Sequence, residues 1–479
     1  MILLLMRALI TVLIFSCFSF LLTAADFSNQ WEAIKTQASP EQLYRFLYAL
    51  PKGGDLHNHF GGSLIPEWKW DVLTDSKRNG GDTFYARQRF DAAPDAINPQ
   101  SYHHTIRQHT YDNLPAPVQR EYIALNSMTA VEREAWLNAF RLDAPGEGRA
   151  VFFEHHWSRL GDIHTNPDVK FELLAENLKA FAAEGIRYME IQFGLHIMSH
   201  NDGTRLTEDE MLTRLEARLA QPDITSTGIE TRFQEAILRF TPDAIEELER
   251  LYAWVDAHRD RWVGLNMVGI EESGKGYPLR FLEKYRELRA KYPTLPLSIH
   301  AGEMDSPDKN IRETLLLGAS RIGHGVNILG DPDTLLMLQH GERTLIEVNL
   351  ISNRLLEYVP DLDHHPFPEL LRTGVPVCLN TDDRGMWDSN MTDEYYTAVT
   401  HFNLSWDELT QLARNSLRYA FVDKKTKQQL LESYEKDLAA FSAQFAGLST
   451  EAALAETEDI KAVTYGYSER TWGLKFDRK

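Results

Sequence analysis

From about residue 180 onward the chain alternates short apolar runs with amphipathic segments, and this rhythm restricts the fold more than any other feature. Seven runs read as buried strands: Tyr188–Phe193, Gly228–Arg239, Trp262–Ile270, Leu295–His300, Arg321–Ile328, Thr344–Leu350 and Val375–Asp382. Asp55–Phe60 adds an eighth upstream. Between them the apolar positions change to helical spacing. Leu174, Leu178 and Phe181 share one face before Gly185. Ile245, Leu248, Leu251, Tyr252 and Val255 do the same behind Thr241-Pro242, which reads as an N-cap followed by a first-turn proline. Gly318, Gly341 and Gly374 each stand where a helix would end just before a strand. Eight strands separated by helices pair in parallel and close into a (β/α)8 TIM barrel.

Two regions fall outside the rhythm. Residues 67–150 separate the first strand from the rest by far more than a βα loop requires, and they are expected to form an insertion that serves as a lid or as a homodimer contact. Histidines 103, 104, 109, 155 and 156 lie in or near this stretch, and surface or capping roles fit them better than catalysis. Residues 385–479 read as a mainly helical extension, with the aromatic tail from Tyr465 to Phe476 packing back on the body. Residues 26–479 are thus read as one barrel domain with these two additions.

Polar residues gather at the strand ends, where barrel active sites are built. The first strand carries Asp55-Leu56-His57-Asn58-His59, and residues two apart face the same side, so His57 and His59 both point into the barrel. Two imidazoles on one face make half of a zinc site, although a hydrogen-bonded structural pair is the plainer alternative. The fifth strand runs into His300-Ala301-Gly302-Glu303, the sixth reads Arg321-Ile322-Gly323-His324-Gly325, and the eighth ends Asn380-Thr381-Asp382-Asp383. These clusters converge on the barrel axis from distant parts of the sequence. Glu271 and Glu272 after the fourth strand read as supporting or solvated acids, and His196 after the second as structural or functional with equal weight.

With Pro51-Lys52 ahead of the first cluster and Ser352-Asn353 after the seventh strand, the ordered set over roughly residues 50–390 resembles the adenosine deaminase family of the amidohydrolase superfamily. The apolar N-terminus and long insertion look most like the secreted, growth-factor-related branch and its bacterial relatives. The resemblance implies one zinc ion per chain, with His57, His59, His300 and Asp382 as its ligands. Zinc would bring the pKa of a water towards neutrality. Glu303 would protonate a purine ring nitrogen, His324 would orient the attacking oxygen or take its proton, and Asp383 would share a hydrogen bond with the ring's other face. Gly269 would contact the base through its backbone, and His59 would also lie against the substrate. The implied reaction converts adenosine or deoxyadenosine to inosine or deoxyinosine plus ammonia. One position departs from the family pattern: Gly61 stands two residues after His59, where an acidic residue that binds the sugar hydroxyl is usual. Adenine or a modified adenosine is therefore the alternative substrate, and a non-catalytic growth-factor-like binding protein is the rival from another class.

Charge and the N-terminus narrow the setting. The net charge is −20 with no basic run, which argues against nucleic acid or an anionic membrane as partner and leaves a small purine nucleoside. Arg7 followed by an apolar run from Ala8 to Leu22 and small residues at Ala24 and Ala25 reads as a signal peptide over residues 1–25, with a retained anchor as the alternative. The mature chain is then expected to be secreted or periplasmic. After cleavage Cys378 is the remaining cysteine, so the fold has no internal disulfide to rest on and this thiol is expected to be buried.

Overall fold

The computed structural model describes residues 27–91, 102–195, 197–271, 276–304, 309–341 and 343–476. The expected signal peptide, His196 and Glu272 lie outside the described residues. The strands in chain order are β1 Gly53–His59, β2 Phe84–Arg87, β3 Thr105–Arg107, β4 Tyr122–Ala124, β5 Ile186–Gln192, β6 Glu230–Leu238, β7 Trp262–Val268, β8 Leu297–Ala301, β9 Arg321–His324, β10 Leu345–Val348 and β11 Val377–Leu379. Eight of them form one parallel sheet in the order β1-β5-β6-β7-β8-β9-β10-β11. Its two edges meet where Asn58 bridges Asp382 in parallel, so the sheet closes into the expected barrel.

Six of the eight barrel strands are shorter than the apolar runs that announced them, while β1 and β5 begin two residues earlier than expected. The sixth expected strand stops at His324, where φ of +66° turns the chain out of extended geometry, and the eighth stops at Leu379 before Asp382 with φ of +54°. Both residues occupy the left-handed region that side chains rarely adopt, and both are among the expected site residues.

Local signals explain most helix boundaries. Pro167–Ala183 begins after Asn166, whose side chain accepts from the Val169 amide, has proline at its start, and buries Leu174, Leu178 and Phe181. The helix before β7 corrects the sequence reading. It spans Ala244–Ala257 with Asp243 at its N-cap, because Thr241 and Pro242 belong to a turn in which the Thr241 amide reaches back to the Leu238 carbonyl. Of its expected face Leu248, Leu251, Tyr252 and Val255 are buried and Ile245 is half-buried.

The insertion builds an antiparallel sheet, β3-β2-β4, with buried Ile106, Val118 and Tyr122 as its small core. Buried ion pairs from Arg107 to Asp82 and from Arg87 to Glu121, both 2.6 Å, anchor it. Beyond Asp383 the chain is helical, and the tail returns as expected: Phe476 lies 5.6 Å from Tyr44 and Trp472 4.6 Å from Tyr396, centroid to centroid. Cys378 is buried. Among the described residues, no helix is long and apolar enough to cross a membrane.

Trp262 ties the sheet to its helical jacket. Fully buried, it donates to the Phe193 carbonyl at 3.0 Å and packs against Phe233 and Trp254. Trp262→Ala should lower stability by about 3–5 kcal/mol through the cavity it leaves. Urea unfolding should show a lower midpoint with an unchanged slope.

Candidate active site and metal centre

His57 and His59 stand at the C-terminal end of β1, His300 on β8, and Asp382 three residues beyond β11. One donor atom from each lies within 4.8 Å of the others. His59 Nε2 is 3.0 Å from Asp382 Oδ1 and 3.2 Å from His300 Nε2, and His57 Nε2 is 3.4 Å from the same carboxylate oxygen. The opposite ring nitrogens are engaged. His57 Nδ1 donates to Glu347 at 2.8 Å and His300 Nδ1 to the Asn266 side-chain oxygen at 3.0 Å. That leaves both Nε2 lone pairs directed at the common centre, and His57 Nε2 is buried without a hydrogen-bond partner. Ser352 donates to the outer oxygen of Asp382 at 2.6 Å. Three imidazoles, two of them with tautomers fixed by these bonds, and one carboxylate are a donor set suited to zinc.

The other expected residues border the same space. Glu303 Oε2 lies 3.6 Å from His324 Nε2, and Glu303, His324 and Asp382 bring donor atoms within 4.8 Å. Glu271, buried rather than solvated, accepts from the amides of Gly302 at 3.1 Å and Glu303 at 2.9 Å and so holds the turn that carries Glu303. Burial, with Asp382 and Glu271 adding repulsion, pushes the Glu303 carboxyl well above the usual range. Burial beside Asp382 does the same to Asp383, whose Oδ1 has no protein partner. Burial pulls His324 well below the usual imidazole range and so favours its neutral form. The cluster therefore favours one ionised carboxylate, Asp382, and two protonated acids.

A cavity of about 490 Å³ opens onto this cluster. His59, Gly269, His300, Glu303, His324, Asp382 and Asp383 all line it. Gly269 has φ of +95°, and a Cβ there would come within 2.6 Å of the Phe240 ring, so backbone alone is presented at that point. Gly61 also lines the cavity, and a Cβ on it would lie 3.0 Å from His164, 3.1 Å from Leu160 and 3.3 Å from Trp157. The space usual for an acidic side chain is taken by this wall.

Several lining residues gave no signal in the sequence. Phe152, Phe153, Trp157, Leu160 and His164 come from the segment after the expected insertion, so the part of the chain over the cavity is 152–164 rather than the sheet within 67–150. None of histidines 103, 104, 109, 155 or 156 lines the cavity. Gln192 was legible in principle. Glu190 faces the barrel interior, bonded to Gln234 and Arg321, so Gln192 two residues on faces the same side. It is 7% exposed, and neither atom of its amide has a protein partner.

The comparisons with known proteins agree with this geometry. A family model described as adenosine deaminase matches residues 133–437. The chain is 30% identical to an adenosine deaminase of Enterococcus faecalis over 258 residues, covering 53% of this chain and 72% of that protein. It is 31% identical to an adenine deaminase of Chelativorans sp. over 262 residues, covering 54% and 77%. A crystal structure of an amidohydrolase from Burkhoderia ambifaria with bound Zn superposes with a TM-score of 0.59 at 21% identity, covering 84% of this chain and 94% of that one.

At the cavity rim, burial pushes Glu235 up from its ordinary 4.5 to about 8, with Lys170 opposing. Burial pulls Lys170 down to about 8. A raised carboxyl binds its proton more tightly folded than unfolded, so its stabilising share is complete below 4.5 and is lost as pH climbs to about 8. Glu235→Gln should therefore match the parent in stability at the acid end of that window and exceed it at the alkaline end, as read by urea unfolding at both. The chain belongs to the adenosine deaminase family and is a hydrolase acting on C–N bonds other than peptide bonds.

Proposed function

We propose that the protein catalyses zinc-dependent hydrolytic deamination of a purine nucleoside, with adenosine or deoxyadenosine as substrate. The observation that carries this reading is the meeting of two sets of groups on one cavity: three imidazoles and Asp382 facing a common centre, and beside them the buried Glu303 carboxyl 3.6 Å from His324. His57, His59, His300 and Asp382 would hold the zinc, whose contribution is to make a water acidic enough to attack near neutral pH. Glu303 gives its proton to a ring nitrogen of the purine while the water oxygen bonds to the amino-bearing carbon. His324 hydrogen-bonds that oxygen, Asp383 bonds the far side of the ring, and the Gly269 backbone contacts the base. On attack the water gives one proton back to the Glu303 carboxylate; the remaining hydroxyl proton passes to the amino nitrogen, the carbon–nitrogen bond breaks, ammonia leaves, and a carbonyl remains.

Gly61 supports a second reading, in which the substrate is adenine or an N6-substituted adenosine. An acid that would bind the sugar is absent, and the aromatic wall of Trp157 and His164 stands in its place. Gln192 offers a donor and an acceptor into the same cavity, and we assign it the sugar contact under the first reading. Secretion, which rests on the first 25 residues, remains our inference from the sequence.

Zinc-loaded protein should convert adenosine to inosine with release of ammonia, followed by ultraviolet absorbance and an ammonia assay. Turnover of adenine or N6-methyladenosine in its place would select the second reading, and turnover of none of them would overturn both. Glu303→Gln should keep its zinc and lose about 10²–10⁴-fold in kcat. Gln192→Ala should raise KM for adenosine by about tenfold, the usual cost of a lost polar partner, and leave KM for adenine unchanged.

A further inference from the structure

His324 Nε2 faces the cavity, and whether that nitrogen carries a proton decides whether the residue can give a hydrogen bond to the attacking oxygen or can only accept one. The surrounding hydrogen bonds answer this from an unambiguous starting point. The backbone amide of Phe367 can only donate, and it lies 3.1 Å from His365 Nδ1, which must therefore be unprotonated. His365 is 1% exposed, and burial pulls it down to about 3, so the ring is neutral and its single proton sits on Nε2. His365 Nε2 is 3.1 Å from Asn353 Oδ1, to which it donates. This fixes the Asn353 amide, so its Nδ2 donates to His324 Nδ1 at 2.9 Å. Asn349 Nδ2 approaches the same nitrogen at 3.2 Å. His324 Nδ1 thus accepts, and the proton of the neutral ring lies on Nε2, where no protein atom takes it.

We propose that His365 is a positioning residue that acts through Asn353 to hold His324 in its Nε2–H tautomer, so that His324 presents a hydrogen-bond donor to the reaction centre rather than a base. His365 itself touches neither the cavity nor the residues assigned to zinc. It belongs to the connection between β10 and the helix Phe367–Arg372, and its hydrogen bond toward the site runs to the Asn353 amide. The catalytic consequence rests on the deamination reading above, whereas the tautomer does not, and the two can be tested apart.

The direct test is nitrogen-15 NMR of histidine-labelled protein, with the His324 signals assigned by their loss in His324→Gln. The expected result is an unprotonated Nδ1 and a proton-bearing Nε2. A proton-bearing Nδ1 would overturn the proposal whatever the enzyme's activity. Asn353→Asp keeps the shape but replaces the donor with an acceptor, and it should move a proton onto His324 Nδ1; an unchanged tautomer would count equally against the relay. In kinetics, His365→Leu should lower kcat at least tenfold with KM within about twofold and zinc content unchanged. His365→Gln should restore most of that loss, since its amide can accept from Phe367 and donate to Asn353 as the imidazole does. A folded His365→Gln no better than His365→Leu would reduce His365 to a packing role and sink the proposal.

Discussion

Everything at the barrel mouth depends on how β1 is joined to the end of β11. The main-chain part of the seam is small: the Asp382 amide donates to the His57 carbonyl at 3.0 Å, and the His59 amide to the Asp382 carbonyl at 3.3 Å. Side chains supply the rest. Asp55 accepts from the Thr381 hydroxyl at 2.6 Å and from the His57 amide at 3.1 Å, Asn380 Oδ1 accepts from the Leu56 amide at 3.0 Å, and Asn58 donates to Thr381 at 3.2 Å. Asp55, Asn58, Asn380 and Thr381 are therefore the fastening, each within three residues of His57, His59 or Asp382 in the same two motifs. Barrel closure and the meeting of His57, His59 and Asp382 are one event.

Beneath that seam lies a column of buried charge. Arg321 pairs with Glu190 at 2.7 Å and with Glu347 at 2.6 Å, and Glu347 holds His57 Nδ1. Burying such groups is costly unless they are paired and hydrogen-bonded, so their arrangement is over-determined. The outcome is a rigid floor that fixes the orientation of His57. Above the floor the balance reverses. Glu303 and Asp383 are buried near a third carboxylate, Asp382, and burial with that repulsion pushes both carboxyls well above their usual range. One barrel thus holds two electrostatic regimes a few residues apart, paired ions below and neutral acids above.

The sequence exposed the barrel and the chemistry because both are periodic. Apolar runs separated by helical spacing located all eight barrel strands, and polar residues at their ends located the cluster. What it did not expose has physical reasons. Thr241-Pro242 carries a helix-start signal, yet the turn bonded to Leu238 delays the helix to Ala244, a tertiary outcome that local propensity does not encode. His324 lies in a run that continues to Ile328, but its left-handed backbone ends β9 there, and β11 stops at Leu379 although the run extends to Asp382, itself left-handed. Trp157 and His164 reach the cavity from a segment without strand or helix periodicity of its own, so nothing in spacing marked them. His365 stood unremarked because its place in the site runs through an amide whose orientation only the folded neighbours determine.

Those differences divide the molecule by function. The strand ends contribute atoms whose positions are fixed by barrel geometry, and any sequence that builds this barrel with these motifs builds the same centre. The wall that faces Gly61 obeys no such rule, since it is packed from the stretch 152–164 against Phe60 and the first turn of the helix Pro167–Ala183. Lys170 on that turn lies 4.5 Å over the Phe193 ring and donates to the Gly194 carbonyl, which leaves it poorly placed to serve as a free cation for an anionic group. Lys170 sits near Glu235, which opposes an approaching phosphate further once ionised. The wall therefore suits a neutral hydroxylated or apolar group. The connection between β4 and β5 thus supplies a wall of the cavity that is packed independently of the strand ends, where the His57, His59, His300 and Asp382 cluster sits.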